Sequence, residues 1–338
     1  GRMGMWHDPR LVPSRPSPEN PVLPNLPWTT NCPLMLAPMQ GLTNRALRAV
    51  YGELAKPDVL FTEFVRVRPN AKKVIADSDF VEATTRVPGI PLVVQVTGCA
   101  DEGVVEAVRD LVSRGVQHIN VNMGCPFGRM TSVLAGGGMF KHPETVYPML
   151  ASLREIVPGS LSVKTRLGIE DNRAVFSVLD AFSKASIDFL IVHSRTVKQK
   201  YKGEADHELT REIVKAAGIP VIANGDVRTV DDAKRVLNQT GASGLMVGRG
   251  VIADHRLFHR IRGVDDEDPD PQKWLQETTH RLRLLLDGYE QIFHGDAQIL
   301  VKFKEVISHI EAPEFKRLRR RFRKAKSCED LRTAMDTT

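Results

Sequence analysis

The stretch NVNMGCPFGRM, residues 120–130, holds one cysteine, Cys125, between a glycine and a proline. It follows alternating apolar residues that read as a strand, so the thiol falls in a turn beyond the strand's end. A core cysteine belongs inside an apolar run, so this position points to chemistry: a proton donor or a nucleophile. Other candidate residues, most of them ionisable or polar, recur at the same place in later and earlier runs. They are Pro38 and Met39, Glu63, Gln95, Asn122, Lys164 with Arg166, and His193 with Arg195. The set continues with Asn224, Gly225 and Asp226, then Gly248, Arg249 and Gly250. Taken singly, each has an ordinary reading: a strand cap, a turn, a satisfied core histidine. Lys164 is harder to dismiss, because it interrupts an apolar strand and is costly there without an anionic partner.

The elements that must position these residues follow from the pattern. From residue 34, short β-rich runs alternate with helical ones: LMLAPM, VLFTEF, LVVQVTG, INVNMG, LSVKTRLG, FLIVHSRT, PVIANGD and GLMVGRG. Amphipathic segments at residues 101–114, 142–157, 173–185, 208–217 and 229–239 separate most of them. Eight strands with intervening helices predict an α/β fold, a (β/α)8 TIM barrel, over residues 34–262. A doubly wound open sheet is the main rival, but no GxGxxG follows the first strand. In a barrel the C-terminal strand ends form the reactive face, which brings the polar set into one mouth.

Residues 1–33 read as a Pro-rich N-terminal arm, extended over the surface, with eight prolines between residues 9 and 33. Gly1 and Arg2 ahead of Met3 read as an expression remnant. Beyond an acidic, Pro-punctuated stretch near residue 262, residues 263–338 are expected to form a smaller, all-helical C-terminal domain. Among 338 residues, 42% are hydrophobic and 26% charged, ordinary for a soluble globular chain. No apolar run is long enough to span a bilayer and no secretory signal is visible, so a cytoplasmic location is expected. Cys32, Cys99, Cys125 and Cys328 lie far apart without a CxxC pair, against a disulfide scaffold or a metal site. A net charge of +6 permits a polyanionic partner without requiring one.

Glycine-containing loops after the last two strands, leading into helix starts, form the usual barrel phosphate site, to which Arg249 adds charge. A cation in mid-mouth, Lys164, suits an electron-rich ring that gains negative charge on reduction. Flavin mononucleotide (FMN) meets both requirements.

The stretches APMQGLTN, TEFVRV, QVTG, NVNMGCP, AGGGMF, SVKTRLG, VHSRT, VIANGD and MVGRG, in this order over residues 36–250, resemble the tRNA-dihydrouridine synthases. The similarity is greatest to the bacterial branch acting on tRNA position 16. The resemblance implies FMN held by the backbone at Ala37, Pro38 and Met39, with Gln95 bonded to the ring and Lys164 near its N1/O2 edge. It implies His193, Asn224, Gly225, Asp226, Gly248 and Arg249 near the ribityl chain and phosphate. Asn122 and Arg166 are implied to hold the target uracil. The segment FGRMTSV after the cysteine departs from the family's usual pattern. Reducing the uracil C5–C6 bond takes a hydride at C6, from reduced FMN, and a proton at C5, for which Cys125 is the expected donor. NADPH is the implied reductant, although no nicotinamide motif is visible.

Residues 316–326, KRLRRRFRKAK, hold eight basic residues in eleven. On a helix they would surround an apolar stripe with charge, and Arg319, Arg320 and Arg323 are expected to grip tRNA phosphates. The rival readings are an FMN-dependent small-molecule ene-reductase of dihydroorotate dehydrogenase type, which has no need of this run, and a Schiff-base aldolase using Lys164. A non-catalytic RNA-binding barrel is a third. A monomer without a metal or membrane contact is expected.

Overall fold

Parallel strands have one face toward a barrel interior and one toward covering helices, so alternate residues along each strand meet different surroundings. A computed structural model of the chain has this arrangement and describes residues 25–68, 71–97, 102–124, 136–265 and 270–337. Cys125 and most of the N-terminal arm lie outside the described residues. The strands are β1 (Leu34–Leu36), β2 (Leu60–Phe61), β3 (Val65–Arg66), β4 (Leu92–Thr97), β5 (His118–Met123), β6 (Leu161–Thr165), β7 (Phe189–His193), β8 (Val221–Asn224) and β9 (Gly244–Val247). All pairings are parallel, in the order β1-β9-β8-β7-β6-β5-β4-β2. The seam between β1 and β2 is closed by a parallel bridge from Met35 to Val59 and by the Asp58 N–H donating to the Leu34 carbonyl at 2.8 Å. The Asp58 carboxylate in turn accepts the Leu34 N–H at 2.8 Å. The fold is a (β/α)8 barrel followed by helices.

One of the eight expected strands is broken. VLFTEF and the residues after it form β2 and β3, which both pair with β4. Leu60 faces Leu92 and Val65 faces Val96, so the first chain uses one more residue than the second, a bulge around residues 62–64. The bulge re-aims the side chains there. Phe64 lines the mouth, whereas Glu63 accepts the Gly41 N–H in the loop after β1.

The helices around the barrel are α1 (Arg45–Ala55), α2 (Asp77–Thr84), α3 (Glu102–Ser113), α4 (Val146–Ile156), α5 (Leu179–Lys184), α6 (His207–Ala217), α7 (Val230–Thr240), α8 (Arg249–Ala253) and α9 (Leu257–Ile261). Their ends are set locally. Thr229 and Asp232 form a capping box at the start of α7, and Gly241 at φ 69° ends it. The barrel interior holds Met35, Ala37, Phe61, Val93, Phe189, Ile191, Ile222 and Met246, all buried. Leu26 and Trp28 pack onto this inner cluster, with the Trp28 ring edge-on to Phe189 at 4.8 Å. The described end of the arm therefore plugs the bottom of the barrel instead of running over its surface: a large ring is better buried in an open barrel end than on an outer face.

Four further helices follow: α10 (Pro271–Ile292), α11 (Asp296–Ser308), α12 (Lys316–Lys324) and α13 (Cys328–Asp336). Asp270 caps α10 by accepting the Gln272 N–H, with Pro271 in the first turn, where a missing N–H costs nothing. One apolar cluster runs without a break from β1, β9 and α1 into α10–α13. Within it Arg281 of α10 is wholly buried, donating to the Tyr51 hydroxyl at 3.0 Å and the Ile252 carbonyl at 2.9 Å. Tyr51 donates to the same carbonyl at 2.8 Å, so α1, α8 and α10 meet at one oxygen. Among the described residues no helix is long and apolar enough to cross a membrane.

The basic run sorts itself on α12. Leu318 and Phe322 are buried, Phe322 against Phe303 and Phe315, while Arg317, Arg320 and Arg323 are exposed. Phe322→Ala should lower the free energy of unfolding by about 3–5 kcal/mol. Arg320→Gln on the opposite face of the same helix should change it by less than about 0.5 kcal/mol. Urea titrations followed by circular dichroism would separate the two.

Candidate active site

The C-terminal strand ends enclose a cavity of ≈ 400 Å³, in the range of small-molecule and cofactor sites. Every expected cofactor residue lines it: Ala37, Pro38 and Met39 after β1, Gln95 in β4, Lys164 in β6 and His193 in β7. Asn224, Gly225 and Asp226 after β8, and Gly248 and Arg249 after β9, complete that set. The two expected uracil contacts, Asn122 and Arg166, line it as well. Arg319, Arg320 and Arg323 do not; they lie on α12, and Arg319 donates to the Ile310 carbonyl at 2.7 Å.

Buried amides lock the neighbouring strands β4, β5 and β6 together. Asn122 Nδ2 donates to Gln95 Oε1 at 3.1 Å, and Gln95 Nε2 donates to Asn120 Oδ1 at 2.9 Å. Asn120 Nδ2 donates to Ser162 Oγ at 2.8 Å, extending the chain to β6. Being buried, these groups must be paired within the protein, and the pairing sets each amide's orientation. Asn122 Oδ1 also accepts the Gly124 N–H at 2.9 Å. The turn leading into Cys125 is thus fastened to the same network. A side chain on Gly124 would press on Arg166, 3.0 Å from its Cγ, so glycine is needed for close approach to β6.

A second network spans β7 and β8. Arg195 donates to His193 Nε2 at 3.1 Å, to the Gly203 carbonyl at 2.5 Å and to Asp226 Oδ1 at 2.8 Å. A guanidinium has no acceptor, so His193 Nε2 must accept, and the ring carries its proton on Nδ1. Burial, and then the charges of Arg166, Lys164, Arg195 and Arg249, push His193 well below its ordinary pKa. It is a neutral imidazole at physiological pH. Burial alone would raise Asp226, but the Ala205 N–H and Arg195 outweigh it and hold the carboxyl below its usual range. Asp226 itself sits at φ 58°, a left-handed conformation that aspartate tolerates better than most side chains.

Several lining residues escaped the sequence reading. Tyr201, in the loop after β7, has the guanidinium of Arg166 5.4 Å and that of Arg249 5.0 Å from its ring centroid. Arg166 also donates to the Thr196 and Lys200 carbonyls, at 3.1 and 2.5 Å, which shapes that loop. Arg228 follows β8, and Glu305 and His309 reach the cavity from the end of α11. One turn earlier on that helix, Lys302 donates to the Gly41 carbonyl at 2.7 Å. A tyrosine within VKQKYKG was the only local signal among these; the α11 residues carried none, because nothing in their spacing points to a barrel mouth.

Lys164, Arg166, Arg195, Arg228 and Arg249 line the cavity against two carboxylates, Asp226 and Glu305, and Asp226 is already paired. The surplus of positive charge suits a ligand with a phosphate and an electron-rich ring. Because His193 is neutral when folded, the unfolded chain takes up protons first as pH falls below about 6.5. Stability should drop over that window by up to about 1.4 kcal/mol per pH unit for this one histidine. His193→Gln should remove that slope in unfolding titrations between about pH 6.5 and 5. Identical slopes would mean that the folded ring is protonated.

Comparisons with known proteins agree with this geometry. The family described as Dihydrouridine synthase (Dus) matches residues 35–337. The tRNA-dihydrouridine(16) synthase of Cupriavidus necator is 34% identical over 249 residues, covering 71% of this chain and 77% of that protein. The protein of the same name from Haemophilus influenzae is 30% identical over 322 residues, covering 90% and 99%. Among solved structures, morphinone reductase superposes with a TM-score of 0.51 at 13% identity, over 72% of this chain and 89% of that one. The old yellow enzyme from Trypanosoma cruzi gives 0.51 at 12%, over 75% and 94%. At such identities these structures bear on the barrel fold alone. The family match over nearly the whole described chain settles its membership: this protein belongs to the dihydrouridine synthase family.

Proposed function

We propose that this chain reduces uridine in tRNA to 5,6-dihydrouridine, with FMN held in the barrel mouth and NADPH as the reductant. The observation that carries this reading is the cation-rich cavity at the strand ends, built from the residues of the family pattern and joined through Gly124 to Cys125. When bound, reduced flavin supplies a hydride to uracil C6. The residues of the chain do the rest. Cys125 protonates C5 from its thiol and recovers the proton from solvent. Lys164 would supply positive charge to the part of the ring that gains electron density on reduction. Gln95, oriented by Asn120 and Asn122, presents a fixed amide to the ring. Arg228 and Arg249 bind the phosphate.

A uridine reaches this mouth only when its base leaves the stack, which costs a few kcal/mol and is easiest in a loop. The exposed face of α12, with Arg317, Arg320 and Arg323, supplies phosphate contacts that offset this cost. Arg319 shares its guanidinium with the end of α11, so it serves the packing of the helices as well as the RNA. A small-molecule ene-reductase would have no use for such a face.

The purified protein should carry non-covalent FMN. Cys125→Ala should leave FMN binding and its reduction by NADPH unchanged, while reoxidation by unmodified tRNA slows by roughly 10²–10⁴-fold. Full reoxidation rate in the variant would remove Cys125 from the chemistry. Replacing Arg320 and Arg323 by Gln should weaken tRNA binding and flatten its log–log salt dependence by roughly one unit per lost phosphate contact, with flavin reduction untouched. An unchanged salt slope would assign the α12 face to solvation.

A further inference from the structure

Three elements line the same cavity: the loop after β8 with Arg228, the turn opening α8 with Arg249, and the end of α11 with His309. Burial, and then the charge of Arg228, lower the pKa of Arg249. His309 is lowered too, by burial and then by Arg249 and Arg228; Glu311 acts in the opposite direction. Glu305, one turn earlier on α11, also lines the cavity. Among the described residues no carboxylate lies within ion-pairing distance of Arg228, Arg249 or His309. Two guanidiniums that share a cavity repel one another, and a dianion bound there turns that repulsion into attraction and favours protonation of the neighbouring neutral imidazole.

We propose that His309 is a third ligand, beside Arg228 and Arg249, for the phosphate monoester of the bound flavin nucleotide, so that the C-terminal helices complete the cofactor site. This rests on the flavin reading above and adds to it a residue from outside the barrel. The consequence is a proton linkage. In the free protein His309 is neutral at physiological pH; with a phosphate against it the imidazolium is favoured, so binding takes up a proton. FMN affinity is then highest on the acid side and falls as pH rises through the pKa of His309 in the complex. Riboflavin, which lacks the phosphate, has no such linkage.

The test is the dissociation constant of FMN and of riboflavin, read by flavin fluorescence on flavin-stripped protein between about pH 6 and 8.5. Wild-type FMN affinity should fall with pH by up to about tenfold per unit, the limit for one linked proton, with riboflavin flat. His309→Gln should weaken FMN about tenfold at the acid end, flatten its pH response relative to wild type and leave riboflavin unchanged. Because both proteins bind the same FMN, titration of the ligand's own phosphate cancels in this comparison. Arg249→Gln should weaken FMN at every pH while retaining the slope. His309→Gln with wild-type affinity and slope would overturn the proposal, as would equal weakening of FMN and riboflavin. Protein that binds neither flavin would overturn the cofactor reading itself, and this proposal with it.

Discussion

Closing eight parallel staves into a barrel forces every second residue of each strand into one shared interior of fixed volume. Near the N-terminal ends that interior is filled by Phe61, Val93, Phe189, Ile191 and Ile222, with Trp28 and Leu26 below them. Toward the other end the same alternation brings in Gln95, Asn122, Lys164, His193 and Asn224, which line an open cavity. An apolar floor and a polar mouth are therefore one pattern read along the same strands. The amide chain from Asn122 to Ser162 lies at the boundary, where polar groups are already buried and must satisfy one another.

Charge in the mouth follows a similar economy. The acidic partner that would neutralise the arginines is used sparingly: Asp226 joins Arg195 and the Ala205 N–H, leaving Arg228 and Arg249 to face the cavity. Burial, and then the concentration of cations, keep His193 neutral, and Arg195 fixes its tautomer. A neutral, oriented donor and a cluster of cations are what an anionic, electron-rich ligand requires, and both arise from the crowding of positive groups in a half-buried space.

The C-terminal helices are bound to this site by more than apolar packing. Arg281 and Tyr51 converge on the carbonyl of Ile252, at the end of the short helix that begins with Arg249. Lys302 reaches Gly41 in the loop that follows Ala37, Pro38 and Met39, and Glu63 holds that glycine from the other side. Displacing α10 or α11 would therefore disturb two of the loops that border the cavity.

Local rules in the amino-acid order were sufficient for the barrel, for the polar set at the strand ends and for the amphipathic basic helix. The two-residue period of the strands, the capping box at Thr229 and the proline after Asp270 act over a few residues and leave their mark there. The tertiary structure decided the rest. The bulge that sends Glu63 to Gly41, the plug made by Trp28, the sharing of Arg319 with Ile310 and the approach of Glu305 and His309 to the mouth all join distant parts of the chain. Such contacts depend on how helices settle against a closed barrel, a matter of volume and crossing geometry that no periodicity encodes. Cys125 belongs to the first group: its place between Gly124 and Pro126, beyond a strand end, is a property of the sequence.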